Sequence, residues 1–155
     1  MKKILTLCMI HNDTHMLLGM KKRGFGEGRW NGFGGKVTDG EAIEEATKRE
    51  LKEEAGITVV DIDKRGIIGF SFENNSEMIE VHIFSACNFE GEPTESEEMR
   101  PQWFAKDEIP FDTMWIDDEH WIPMFLEGKK FRGNFHFTED EKSIISYNIE
   151  EVLEL

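Results

Sequence analysis

A chain of 155 residues, 39% of them hydrophobic, is one domain of ordinary size that can bury a real core. Its 32 acidic and 18 basic residues leave a net charge of −14, which argues against non-specific affinity for DNA, RNA or anionic membranes. Two cysteines make no disulfide framework, so Cys8 and Cys87 read as reduced thiols of an intracellular chain, and no segment is long enough to span a membrane.

The chain opens with Met1-Lys2-Lys3 and a brief apolar run, which has the outline of a short signal peptide. Thr6 breaks the run, His11-Asn12-Asp13 follows, and no small-residue cleavage site is present, so residues 4–10 are expected to form a first strand. Residues 16–20 read as its neighbour across a polar turn at Asn12-Asp13-Thr14. A Gly-rich loop spans residues 24–35 and holds six of the fourteen glycines. A helix is expected over about residues 41–55, with Thr38 and Glu41 as a capping-box pair and Gly56 just past the last turn. Strands follow at residues 67–72 and 78–87, then an acidic loop over residues 88–99 and a short strand at 102–105. Asp118 is expected to cap a second helix over about 119–127, closed by Gly128, with Pro123 near its first turn. Residues 130–137 and 143–149 suggest a closing pair of strands. With no repeat, linker or βαβ regularity, this order predicts an α+β layered domain.

The helix over 41–55 carries the informative chemistry. At roughly 100° per residue, Glu50, Glu53 and Glu54 fall within an arc of about 100° that also contains Ile43 and Ala46, two turns earlier. The apolar stripe therefore runs into three carboxylates, while Glu44, Glu45, Lys48 and Lys52 take the solvated face. A charged surface helix with Glu–Lys pairs is the plain alternative. Against it, like charges at these spacings repel unless something neutralises them. Hard oxygen ligands beside a Gly-rich loop suit Mg²⁺ or Mn²⁺, which bind carboxylates and substrate phosphates together.

Residues 35–57, from Gly35 through Glu41 and Arg49-Glu50-Leu51-Lys52-Glu53-Glu54-Ala55-Gly56-Ile57, match every fixed position of the pattern G-x5-E-x7-R-E-U-x-E-E-x-G-U, with U aliphatic. That pattern is the Nudix box, and the chain resembles the Nudix hydrolases. Residues 19–26 and 28–36 extend the likeness to the branch that hydrolyses oxidised purine nucleoside triphosphates. So do Glu98-Met99-Arg100-Pro101 with Trp103-Phe104, Met114-Trp115 with Asp117-Asp118, and Trp121. The resemblance runs from about Thr6 to the last strand and implies a mixed sheet sandwiched between helices, with residues 1–155 as a single Nudix domain. It implies Glu50, Glu53, Glu54 and the Gly35 carbonyl as metal ligands, with Glu98 as a further metal-associated carboxylate. Glu53 or Glu54 would be the general base. Arg49 would pair with Glu41 or Glu45 and hold the ligands in place, and Lys36 is a candidate for phosphate contact.

The same resemblance assigns the base pocket. Phe25, Phe70, Trp115 and Trp121 could form a slot for a planar ring, although Phe70 alone reads more naturally as core. Asp117 and Asp118 would read the purine edge instead of serving only as a helix cap, and Asn31 offers both a donor and acceptors. Thr6, Lys21, Phe33, Gly34, Gly35 and Ile116 complete the expected contacts. The chain departs from the branch it resembles at Ile116, where proline is common, at Ile79, where methionine lines the pocket, and at His120, where an aromatic is usual. His11, His15, His82, His120 and His136 are scattered and read as structural.

The expectation is thus a cytoplasmic, Mg²⁺-dependent (or Mn²⁺-dependent) pyrophosphohydrolase of 8-oxo-dGTP and 2-hydroxy-dATP, a monomer with a nucleotide as its only partner. Two alternatives remain. One is the same chemistry on O6-methyl-dGTP, an ordinary dNTP or a dinucleotide, the last disfavoured by the Trp115 and Asp117-Asp118 group. The other is a non-catalytic nucleotide-binding module, which would have no reason to keep three mutually repelling glutamates.

Overall fold

The computed structural model describes residues 2–155. Eight strands form one mixed sheet: β1 (Lys2–His11), β2 (His15–Lys21), β3 (Trp30–Asn31), β4 (Asp63–Phe72), β5 (Met78–Ala86), β6 (Met99–Ala105), β7 (Lys130–Phe137) and β8 (Ile144–Val152). The order is β3-β2-β1-β5-β4-β7-β8, with β6 along the other edge of β2. β1 runs parallel to β5 and β4 parallel to β7, while the remaining pairs are antiparallel.

Alternation along β1 builds both faces of the sheet. Cys8 and Ile10 pack with Leu51, Ala55 and Phe84 under α1 (Ile43–Ala55), and Met9 packs with Trp121, Ile122 and Phe125 of α2 (Asp118–Leu126). The helices therefore cover opposite faces, which is the expected sandwich.

What positions the site is a gap in the sheet. β1 and β2 pair only at Ile10↔Leu17 and His11↔Met16 and then diverge. Residues 30–37 fill the opening. Trp30 and Asn31 pair with β2, while the Cys8 N–H donates to the Phe33 carbonyl at 2.6 Å and the Thr6 N–H to the Gly35 carbonyl at 2.9 Å. Glycine is obligatory at position 34, because a Cβ there would stand 1.8 Å from the Thr6 carbonyl oxygen.

Three local expectations are corrected. Thr38 and Glu41 do bond, with the Thr38 N–H and hydroxyl donating to Glu41 Oε1 at 3.1 and 2.9 Å, but they close a turn ahead of the helix. The helix starts at Ile43 with Ala42 as its N-cap. The far carboxylate oxygen of Glu41 accepts from Arg49 Nε at 2.7 Å, so Glu41 ties the helix to the preceding turn. The buried face of α1 is also rotated from the predicted stripe. It centres on Ala46, Thr47, Leu51, Glu54 and Ala55, because Leu51 and Ala55 reach the core and draw that side inward. Pro123 lies in the second turn of α2, not the first, and Asp118, expected as the cap, is the first helical residue, preceded by Asp117, which makes no side-chain cap bond. Gly56 is the left-handed C-cap of α1, as its position predicts.

Candidate active site

A cavity of about 260 Å³ opens where the β1–β2 gap meets α2. One end reaches Gly34, Gly35 and Glu54, and the other reaches Trp115, Asp117, Asp118 and Trp121. Thr6, Lys21, Asn31, Phe70 and Phe25 line it between.

The helical glutamates are graded from wall to solvent. Glu54 is 4% exposed and accepts the Gly34 N–H at 2.8 Å. Burial pushes its carboxyl up to about 8, against the opposing effects of that hydrogen bond and of Lys21. Glu50 is half-buried and also raised, first by burial. It sits so close beneath Gly35 that a Cβ there would lie 2.6 Å from the carboxylate carbon. Glu53 stands at the exposed margin. Arg49 gathers the group, donating to Glu41, to Glu50 at 3.0 Å and to Glu53 at 3.3 Å, and reaching the Lys36 carbonyl at 3.2 Å. The Arg49 guanidinium holds the Glu41 carboxyl well below its ordinary range. Of the two partners expected for Arg49, the structure selects Glu41.

Among the described residues, no three carboxylate, imidazole or thiolate side chains converge on one point. Arg49 engages Glu50 and Glu53 while the Gly34 N–H engages Glu54, so the three carboxylates are shared between two sets of donors. The donor set nonetheless fits a hard divalent cation: three carboxylates on one helical surface, with the Gly35 backbone against Glu50. A cation would also relieve the burial of charge that now favours the protonated form of Glu54. Glu98 is off the cavity wall, paired with Lys21 at 3.1 Å and Arg23 at 2.8 Å. Those cations lower its pKa, Arg23 first.

At the other end, the indole N–H of Trp121 is shared between Asp117 Oδ2 at 2.9 Å and Asp118 Oδ1 at 3.1 Å. Both aspartates are 3% exposed, and Asp118 Oδ2 has no hydrogen-bond partner. Burial raises both carboxyls, Asp117 to about 6 and Asp118 well above the ordinary value, where the neighbouring charge of Asp117 adds to the effect. Trp121 is thus the donor beneath the aspartate pair, not a wall of the slot alone. Its i−4 and i−3 spacing to them on a helix was the available signal. Asn31 accepts the Gly32 N–H at 2.8 Å through Oδ1, which leaves its amide N–H groups to the cavity.

Phe25 and Trp115 both line the cavity but lie against each other, with ring centres 5.0 Å apart and a tilt of 35°, so a planar ring would stack beside them and not between them. Phe70 does both jobs: it lines the cavity and stacks on Phe135 and Phe137, each at 5.9 Å. Three expected contacts lie off the cavity wall. Phe33 is fully buried under the loop beside Gly19, and Ile116 packs into the α2 cluster. Lys36 holds the loop edge through its backbone bridge to Leu5. Sequence reasoning overlooked the strand residues Leu5, Leu7, Phe72, Val81, Ile83, Met99 and Phe137, together with Gly26 and Gly32. Most of these sit on alternate positions of strands, where a cavity wall and a core wall have the same pattern.

The description of the NUDIX domain matches residues 1–125. The chain belongs to the Nudix family. It is 54% identical over 150 residues to the mouse oxidized purine nucleoside triphosphate hydrolase, covering 97% of this chain and 96% of that one. It is 53% identical over 153 residues to the zebrafish protein of the same name, covering 99% and 97%. Among solved structures, the mutator MutT protein from Bacillus halodurans superposes with a TM-score of 0.86 at 31% identity, covering 96% of this chain and 97% of that one. This chain is therefore a Nudix hydrolase with the Nudix fold, and Nudix hydrolases generally use a divalent metal.

Proposed function

We propose that this Nudix hydrolase converts oxidised purine nucleoside triphosphates, 8-oxo-dGTP and 2-hydroxy-dATP, to the monophosphate and pyrophosphate, and so clears the DNA precursor pool. The observation that carries this is one cavity that has the buried carboxyl pair Asp117 and Asp118 at one end and Glu54 with the Gly34–Gly35 backbone at the other. The names of the mouse and zebrafish relatives support the same substrate class.

Residues 1–155 act as one domain and as a monomer in the cytoplasm, with the nucleotide as sole partner. The resident cation is Mg²⁺, with Mn²⁺ able to replace it, held by Glu50, Glu53, Glu54 and the Gly35 carbonyl with Glu98 nearby. When bound, it neutralises phosphate charge and polarises the reacting phosphoryl group. The rest is done by side chains. Phe25 and Trp115 receive the flat ring, and Asn31 and the aspartates read its edge. Lys21 supplies positive charge beside Glu54, where the phosphates lie. Glu53 or Glu54 takes a proton from the attacking water. Water adds to an internal phosphorus, one P–O bond breaks, and pyrophosphate leaves, so each triphosphate yields one monophosphate and one pyrophosphate. Arg49 holds the glutamates in position.

The test is kcat/KM for 8-oxo-dGTP, 2-hydroxy-dATP, O6-methyl-dGTP and the ordinary dNTPs, each with Mg²⁺ and with Mn²⁺. The two oxidised purines should lead the series, with Mg²⁺ sufficient. Faster turnover of an ordinary dNTP, or of O6-methyl-dGTP, would assign a different substrate, and no turnover of any of them would leave a binding module.

A further inference from the structure

The indole of Trp115 lines the cavity, and the Arg29 guanidinium lies over its ring, 4.1 Å from the centroid. Arg29 does not line the cavity, so the cation stands behind the ring. Its neighbours on the loop, Lys22 and Arg23, pair with Glu95, Glu97 and Glu98. Arg29 instead takes an aromatic partner, in a chain with 32 acidic residues.

The backbone fixes where Arg29 sits. Its N–H donates to the Gly26 carbonyl at 3.1 Å, its carbonyl accepts the Lys21 N–H at 3.0 Å, and the Gly28 N–H donates to the Lys21 carbonyl at 2.9 Å. The loop is thereby closed, with Phe25 and Gly26 at its tip. Gly26 has a φ of +87° and passes close enough that a Cβ would stand 3.3 Å from Trp115 Nε1. Trp115 in turn belongs to the base-reading segment, since its carbonyl accepts the Asp118 N–H at 3.0 Å. Phe137 meets it edge-on, with centroids 6.1 Å apart at 68°.

From this geometry we infer that Arg29 is a positioning residue for the purine: it pins the Phe25 loop to the Trp115–Asp118 segment by holding the outer face of Trp115. A cation on one face of an indole also draws π density from the other, which favours stacking of an electron-rich purine on the cavity side. The inference rests on the functional reading above. Arg29 touches no reacting atom, so its effect belongs to binding, not to the chemical step.

The experiment compares Arg29→Gln and Arg29→Lys in the wild-type and Trp115→Leu backgrounds, with Mg²⁺ present. It reads kcat and KM for 8-oxo-dGTP and, by calorimetry, the Kd of 8-oxo-dGMP. Arg29→Gln should raise KM and Kd about threefold to tenfold while kcat stays within about twofold. Arg29→Lys should recover part of that loss, and in the Trp115→Leu background Arg29→Gln should cost nothing further. An equal penalty in both backgrounds, or a fall in kcat at unchanged KM, would overturn the assignment. Limited trypsinolysis without nucleotide reads the pin alone: cleavage after Lys22 and Arg23 should quicken in Arg29→Gln, and an unchanged rate would count against the pin. If the wild type neither binds 8-oxo-dGMP nor turns over 8-oxo-dGTP, the functional reading fails, and the trypsin result still decides whether Arg29 holds the loop.

Discussion

Two carboxylate groups at opposite ends of one cavity divide the work, and their surroundings set their protonation differently. Glu54 has its pKa raised to about 8 in the metal-free protein. A raised pKa favours the protonated fold, so this contribution to stability is complete below the ordinary carboxylate value and is lost as pH rises from there through about 8. Glu54→Gln should therefore stabilise the metal-free protein relative to wild type as pH rises across that window, because the amide still accepts the Gly34 N–H. Melting curves against pH measure this. The same variant, and Glu53→Gln, should lose rate by about 10²- to 10⁴-fold with the fold intact by circular dichroism. Wild-type turnover in both at saturating Mg²⁺ would remove the catalytic assignment. At the other end, burial raises both Asp117 and Asp118, and the neighbouring charge adds to the effect at Asp118, so the pair resists double ionisation and can offer one donor and one acceptor. As pH falls and the pair takes up its second proton the acceptor is lost, and kcat/KM for 8-oxo-dGTP should fall relative to that for 2-hydroxy-dATP. Asp117→Asn or Asp118→Asn should change this ratio about tenfold or more, since an unpaired buried polar group costs roughly 1–3 kcal/mol. An unchanged ratio across pH in both variants would mean that these aspartates do not read the base.

The element that brings the two ends together is the segment over residues 30–37, threaded between β1 and β2. Its tightest point is Gly34, where a Cβ would collide with the Thr6 carbonyl. Backbone must move to admit it, so Gly34→Ala should displace the Gly35 carbonyl and loosen the Glu54 bond. We expect a lower melting temperature and a fall in kcat/KM of at least about tenfold, a size expected when catalytic groups shift by a fraction of an ångström. Full activity with an unchanged melting temperature would show that the loop needs no such fit. Much at this scale was legible in the sequence. The order of strands along the chain, the Gly-rich loop and the helix follow from period and turn residues, and Glu41 was one of two partners expected for Arg49. The divergence of β1 from β2 was not legible, because it depends on β1 pairing in parallel with β5 across more than sixty residues of chain. The rotated face of α1 was hidden for a related reason. Thr47 does not look apolar, yet it is fully buried with its hydroxyl returned to the Ile43 carbonyl at 2.9 Å.

Across the whole molecule, a net charge of −14 sets the terms for a polyanionic substrate. Lys21, which lines the cavity, and its loop neighbours Lys22 and Arg23 are already paired with Glu95, Glu97 and Glu98. Lys21 shares its charge with Glu98, so triphosphate binding would draw on both Lys21 and a divalent cation at the glutamates of α1. The central claim is that this arrangement selects an oxidised purine and breaks the triphosphate at an internal phosphorus. One competition experiment tests both parts: equimolar 8-oxo-dGTP and dGTP with Mg²⁺ in ¹⁸O-labelled water, with products resolved by mass. The account predicts early loss of 8-oxo-dGTP to 8-oxo-dGMP and pyrophosphate, one ¹⁸O per turnover and no free orthophosphate. Preferential loss of dGTP, or stepwise orthophosphate release through a diphosphate, would contradict it.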